Sequence, residues 1–96
     1  MPGRHRCRRV GFQPSCTSFG PATAGSITPE ETILSMDEFE AVRLKDLEGL
    51  DQSECAEKME ISQPTFHRLV IAARRKVADA LTHGKTIKIQ GGDYRF

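Results

Sequence analysis

Ninety-six residues make one small domain with a core of limited size. No apolar run is long enough to span a bilayer, and the cationic start "MPGRHRCRRV" has no apolar segment behind it, which argues against a membrane span and a secretory signal and for a reducing cytoplasm. The net charge of +1 conceals a partition: residues 1–29 carry four arginines and no acid, residues 30–60 eleven acids against three cations, and residues 61–96 seven cations against two acids.

Residues 1–28 form a basic N-terminal arm rich in Gly, Pro, Ser and Thr, with Val10–Phe12 as a candidate short strand. Arg4, Arg6, Arg8 and Arg9 suit an arm in a DNA minor groove, or else a solvated tail. His5, Cys7 and Cys16 are soft-metal donors, but they lack a C-x-x-C pair and a fourth ligand. With Cys55 they make an odd count of cysteines, read most simply as thiols, so no metal or cofactor is expected.

Residues 29–83 carry the main pattern. "SITPEETIL" is open between a helical turn capped at Thr28 and a strand over Thr32–Leu34. Ser35 and Glu38 then make a capping box, flanked by Leu34 and Phe39 as a hydrophobic staple, so a helix starts at Met36. Phe39, Val42 and Leu47 keep helical spacing, and Gly49 ends a helix over 36–48. Asp51 with Glu54 starts a second, short helix whose buried side is Cys55, Ala56 and Met59.

Ser62 caps a third helix over 63–81, with Pro64 inside the first turn, where proline costs no hydrogen bond. Phe66, Leu69, Val70, Ala73, Val77, Ala80 and Leu81 form one apolar stripe at about 100° per residue. Arg68, Ile71 and Arg75 lie opposite, with His67 and Arg74 on one flank and Lys76 on the other. The tail, 84–96, alternates at Thr86–Ile89 and turns at Gly91-Gly92, as a short C-terminal β strand or hairpin does.

Two helices joined by a tight turn, the second with a basic outer face, describe a helix-turn-helix. Ala56 is the small residue where the helices cross, and helix 36–48 braces the pair, giving a mainly α, three-helix core. Gln63, Thr65, His67, Arg68 and Ile71 are candidates for base readout in the major groove, and Ser62, Arg74, Arg75 and Lys76 for phosphate contacts. The bland alternative is a helical bundle whose basic face is merely wet. Glu60 occupies a turn position where a left-handed conformation and glycine are usual. No nucleophile elbow, P-loop, H-E-x-x-H or dinucleotide turn is present, and an enzyme is not expected.

"LSMDEFEAVRLKDLEGLDQSECAEKMEISQPTFHRLVIAARRKVADAL" resembles the promoter-reading helix-turn-helix domain of sigma-70-type factors. With "CRRV", Pro14 and "GKTIKIQGGDY", nearly the whole chain is similar to a small family of predicted bacterial and archaeal DNA-binding proteins. The resemblance implies a sigma-like domain, double-stranded DNA as partner and transcriptional regulation, with Ser62 to Ile71 as the reading surface. Glu60 departs from the usual glycine, and "CTSFGPATAG" is more polar than the family's aromatic-rich stretch. A second reading is a protein–protein module contacting RNA polymerase through acidic helix 36–48 and Ile71. A homodimer through the C-terminal strand fits either reading.

Overall fold

The computed structural model describes residues 7–22 and 29–96, so Thr28 lies outside the described residues. Helix α1, Met36–Val42, begins at a complete capping box. The Ser35 hydroxyl accepts from the Glu38 N–H at 3.3 Å, and the Glu38 carboxylate accepts from the Ser35 N–H at 2.9 Å. Past Val42 the helix widens into a π turn, Arg43–Leu47, closed by the Glu48 N–H on the Arg43 carbonyl at 2.9 Å. The single helix expected over 36–48 is therefore two segments, and the wider turn changes the angular step between side chains. Leu47, expected to follow Phe39 and Val42 inward, is 77% exposed.

Helix α2, Gln52–Met59, starts at a second capping box between Asp51 and Glu54. Its far end passes through Glu60 at φ +59°, ψ +44°, the left-handed conformation that the turn was expected to demand. The Glu60 N–H donates to the Glu57 carbonyl at 3.1 Å and the Ile61 N–H to the Ala56 carbonyl at 3.0 Å. That is the Schellman closure, with glutamate in the position glycine usually fills. Helix α3, Gln63–His83, is capped by the Ser62 hydroxyl on the Thr65 N–H and runs two residues beyond its expected limit, to a cap at Gly84.

The C-terminal residues are woven into the fold. Strand β4, Thr86–Ile89, is the centre of a three-stranded sheet, antiparallel to β2 (Ser18–Phe19) and parallel to β3 (Glu31–Leu34). This settles "ETIL" as strand. The three helices form the long crossover that two parallel strands require. After the glycine turn, β5 (Tyr94–Arg95) pairs in parallel with β1 (Arg8–Arg9), so β4 and β5 do not make a hairpin. The N-terminal strand falls at Arg8–Arg9, just before the expected Val10–Phe12, with Val10 buried behind it. Gly92 is needed in the turn: its φ is +95°, and a Cβ would sit 2.6 Å from Asp37 Oδ1.

Two apolar clusters share α3. One packs Phe66 and Val70 against Ala41, Leu44, Cys55, Ala56 and Met59, and the other packs Ala73 against Val10, Leu34, Met36 and Ile89. Ala56 is 2% exposed at the α2–α3 crossing, as its size suggests. The α3 stripe divides along its length: Phe66, Val70, Ala73 and Ala80 are buried, whereas Leu81 is 77% exposed. Leu81 was expected in the core, but the sheet meets α3 on the Ala80 side and leaves Leu81 uncovered. Among the described residues, no helix is long and apolar enough to cross a membrane.

Candidate nucleic-acid interface

The first turns of α3 are held by a string of side-chain hydrogen bonds. The Ser62 hydroxyl lies 2.9 Å from Thr65 Oγ1, and Arg68 Nη2 donates to the same Thr65 oxygen at 3.4 Å. Ser62 and Thr65 are thus engaged with each other and with Arg68, which is drawn along the helix axis. Gln63, His67, Arg68 and Ile71 are exposed in the first turns of α3, and Thr65 is half-buried. Gln63 is tied to α2 through its backbone, since Gln52 Nε2 reaches the Gln63 carbonyl at 3.5 Å. Its amide is left to the solvent. Arg75, two turns beyond Arg68, is exposed and makes no ion pair among the described residues.

The other cations assigned to this face are engaged elsewhere. Arg74 forms a two-pronged pair with Asp46 of the π turn, at 3.0 and 2.6 Å. The hydrogen bond from Arg74 holds the Asp46 carboxyl below the usual carboxylate range, and Asp46 raises the Arg74 guanidinium in return. Lys76 Nζ donates at 2.8 Å to Glu38, a carboxylate whose residue is only 7% exposed. Charged partners already hold both side chains, so of the three only Arg75 has no charged partner among the described residues. The signal was present in the charge partition, because the acids of residues 30–60 are what Arg74 and Lys76 meet.

The basic arm is also revised. Arg8 sits between Asp93, at 3.4 Å, and Asp37, at 3.9 Å, and its buried Nε has no hydrogen-bond partner. It fastens the β1–β5 ribbon to the start of α1 and does not reach outward. Arg9 is exposed and makes no ion pair among the described residues, while Arg4 and Arg6 lie outside them, as does His5. Cys7 and Cys16 are exposed thiols, and a hydrogen bond with Asp93 pushes the Cys7 thiol up, away from the thiolate a metal would need. Among the described residues, no three His, Cys, Asp or Glu side chains gather where a metal could be held.

Two features of the alternative reading are changed as well. Asp37, Glu38 and Glu40 are 6%, 7% and 2% exposed, so α1 does not present them to a partner. Glu40 takes two hydrogen bonds from Arg43 at 2.8 Å and one from the Gly11 N–H at 2.9 Å, tying the N-terminal segment to α1. β4 has neighbours on both edges and has no free side for a twin strand.

Arg95 was not singled out in the sequence. It forms an ion pair with Glu60, bringing the end of the β5 ribbon onto the turn before α3. The negative charge that Glu60 adds beside the N-terminal end of α3 is thereby compensated from a residue thirty-five positions away.

A family model described as "Protein of unknown function DUF134" matches residues 1–96. The chain is 52% identical over 95 residues to UPF0251 protein Teth39_0655 of Thermoanaerobacter pseudethanolicus, covering 99% of this chain and 80% of that one. It is 53% identical over 94 residues to a UPF0251 protein of Caldicellulosiruptor saccharolyticus, covering 98% of this chain and 66% of that one. A UPF0251 protein of Moorella thermoacetica is 51% identical over 94 residues, of which this chain spans 63% of the length. No solved structure matches the chain.

Proposed function

The chain belongs to the DUF134 family, and from that starting point we propose that it is a sequence-specific binder of double-stranded DNA, acting in transcriptional regulation. In this reading α2 and α3 are a sigma-like helix-turn-helix, and the first two turns of α3 enter the major groove. The observation that carries the reading is the exposed row Gln63, His67, Arg68 and Ile71 at the N-terminal end of a capped helix, with unpaired Arg75 further along. The side-chain chemistry fits base edges: an amide for adenine, a guanidinium for guanine, and an aliphatic group for the thymine methyl. Arg75 holds a backbone phosphate. The reading assigns the chain no catalytic step.

Selection of bound sequences from a random duplex pool, at two salt concentrations, tests it. A defined sequence motif should emerge, with affinity falling steeply as salt rises. Arg68→Ala relaxes preference at one base pair, and Arg75→Ala weakens all sequences alike. A pool that shows no enrichment at low salt overturns the reading.

A further inference from the structure

The part of α3 that the core leaves uncovered belongs to a longer apolar band. A concavity of about 360 Å³ is lined by Phe12, Phe39, Val42 and Leu47, and it adjoins one of about 180 Å³ through their shared Val42. The second is lined by Val77, Ala78 and Leu81, and through Leu81 it runs into a third of about 280 Å³ bounded by Phe19 and Ile87. Leu47 and Leu81 are each 77% exposed, with Phe12 at 50% and Phe19 at 51%. Contiguous apolar surface of this kind is uncommon on a soluble monomer and marks a contact site.

We propose that this band is the two-fold interface of a homodimer, with Leu47 and Leu81 at its centre. Charge selects the occupant. Every cation and acid lining the band is already paired within the chain: Arg74 with Asp46, Arg43 with Glu40 and Glu48, and Lys85 with Asp79. A basic or acidic segment would find no unpaired opposite charge there, and a polyanion would find no free cation. A second copy presents the same neutral apolar strip and is complementary to it.

The position of the band gives the dimer a use, which rests on the DNA-binding reading above. At about 100° per residue, Arg68 is about 140° around α3 from Leu81 but His67 only about 40°, so interface and reading end are kept apart by their distance along the helix and not by facing opposite ways. His67, at the middle of the reading end, is fourteen residues from Leu81, or about 21 Å at 1.5 Å per residue. Two α3 helices meeting near Leu81 therefore hold their reading ends at most about 42 Å apart. An oblique crossing brings them to the roughly 34 Å that separates adjacent major-groove half-sites on one face of a duplex. The predicted target is an inverted repeat with half-sites one helical turn apart.

The test is the mass of the full chain by sedimentation equilibrium, for wild type, Leu81→Lys and Leu47→Lys, with circular dichroism to verify folding. Both positions are exposed, so both variants should fold. Wild type should sediment at twice the chain mass, and each variant at the chain mass. A wild-type monomer across the concentration range overturns the proposal, and would leave the band to a different protein or to a segment carried by the longer relatives. A dimer that survives both substitutions overturns it too, by placing the interface elsewhere. The DNA arm separates the two ideas: Leu81→Lys should lose at least about tenfold in affinity for a paired site, while binding a single half-site like wild type. A dimer that enriches no sequence sinks the DNA reading alone, and a monomer that enriches one sinks the dimer alone.

Discussion

The two halves of α3 carry the same sequence pattern, an apolar stripe with cations on the outer face, and the fold treats them differently. In the first half the stripe is buried through Phe66 and Val70, and the outer row of Gln63, His67, Arg68 and Ile71 is left to solvent. In the second half the stripe ends on an uncovered Leu81, while Arg74 and Lys76 are drawn onto carboxylates of the π turn and α1. A cation on a helix face is therefore not the same thing as a cation available to a ligand. Nor is an apolar residue in register with a core stripe thereby a core residue. What decides in each case is the neighbouring element, and α1 with its π turn supplies both the acids and the exposed Leu47.

The largest effect that contrasts the halves is on stability. Phe66→Ala should destabilise the domain by about 3–5 kcal/mol, because a fully buried ring is replaced by a cavity. Leu81→Ala, measured in protein dilute enough to be monomeric, should change stability by no more than about 0.5 kcal/mol. Chemical denaturation of both variants checks this, and equal losses would mean that the stripe is buried along its whole length.

The next contrast is between neighbouring cations. Lys76→Met removes the ammonium from a buried Glu38 carboxylate and should cost about 1–3 kcal/mol of stability, leaving the salt dependence of DNA binding as in wild type. Arg75→Ala should do the reverse, with stability unchanged and the slope of log affinity against log salt lowered by about 1. If the two variants shift the same observable, the division between paired and unpaired cations fails.

Glu60 offers a smaller test at the junction before α3. Glu60→Gly relieves a left-handed glutamate and should gain about 1 kcal/mol, offset in part by loss of the exposed pair with Arg95. Glu60→Ala loses the pair and keeps the unfavourable backbone, so its melting temperature should fall below that of wild type. Matching melting temperatures for the glycine and alanine variants would remove backbone strain from the account.

The smallest effect concerns acid. Asp46, whose folded pKa is depressed by Arg74, contributes stability that is present above the ordinary carboxylate pKa and lost as pH falls through the folded value. The pair is largely exposed, so its contribution should stay below about 0.5 kcal/mol. Stability should decline below about pH 4, and more shallowly in Asp46→Asn than in wild type, as followed by denaturation midpoints.

Much of the helical part was legible in the sequence. The capping boxes at Ser35 and Asp51, the Ser62 cap and the small residue at Ala56 are local signals, each acting within one or two turns of backbone. The left-handed Glu60 was legible for the same reason, since a three-residue turn between helices leaves few backbone solutions. The outward row on α3 follows from helical periodicity alone. The strand at Glu31–Leu34 was half-legible, because its four residues have no periodicity long enough to separate strand from helix.

Long-range pairing was not legible. The strand Thr86–Ile89 could be seen as a strand, but its central place between β2 and β3 depends on chain segments more than fifty residues away. The π turn at Arg43–Leu47 carries no local motif, and it is what turned Leu47 outward. The pairing of Arg74 with Asp46, Lys76 with Glu38 and Arg95 with Glu60 requires helices and strands to be docked before any of these charges can meet. The sequence by itself determined where the helices start and which face of α3 points outward, because caps and periodicity act through neighbouring residues. Only the tertiary structure decided which cations remain free and which apolar groups remain uncovered, because both depend on what each face is packed against.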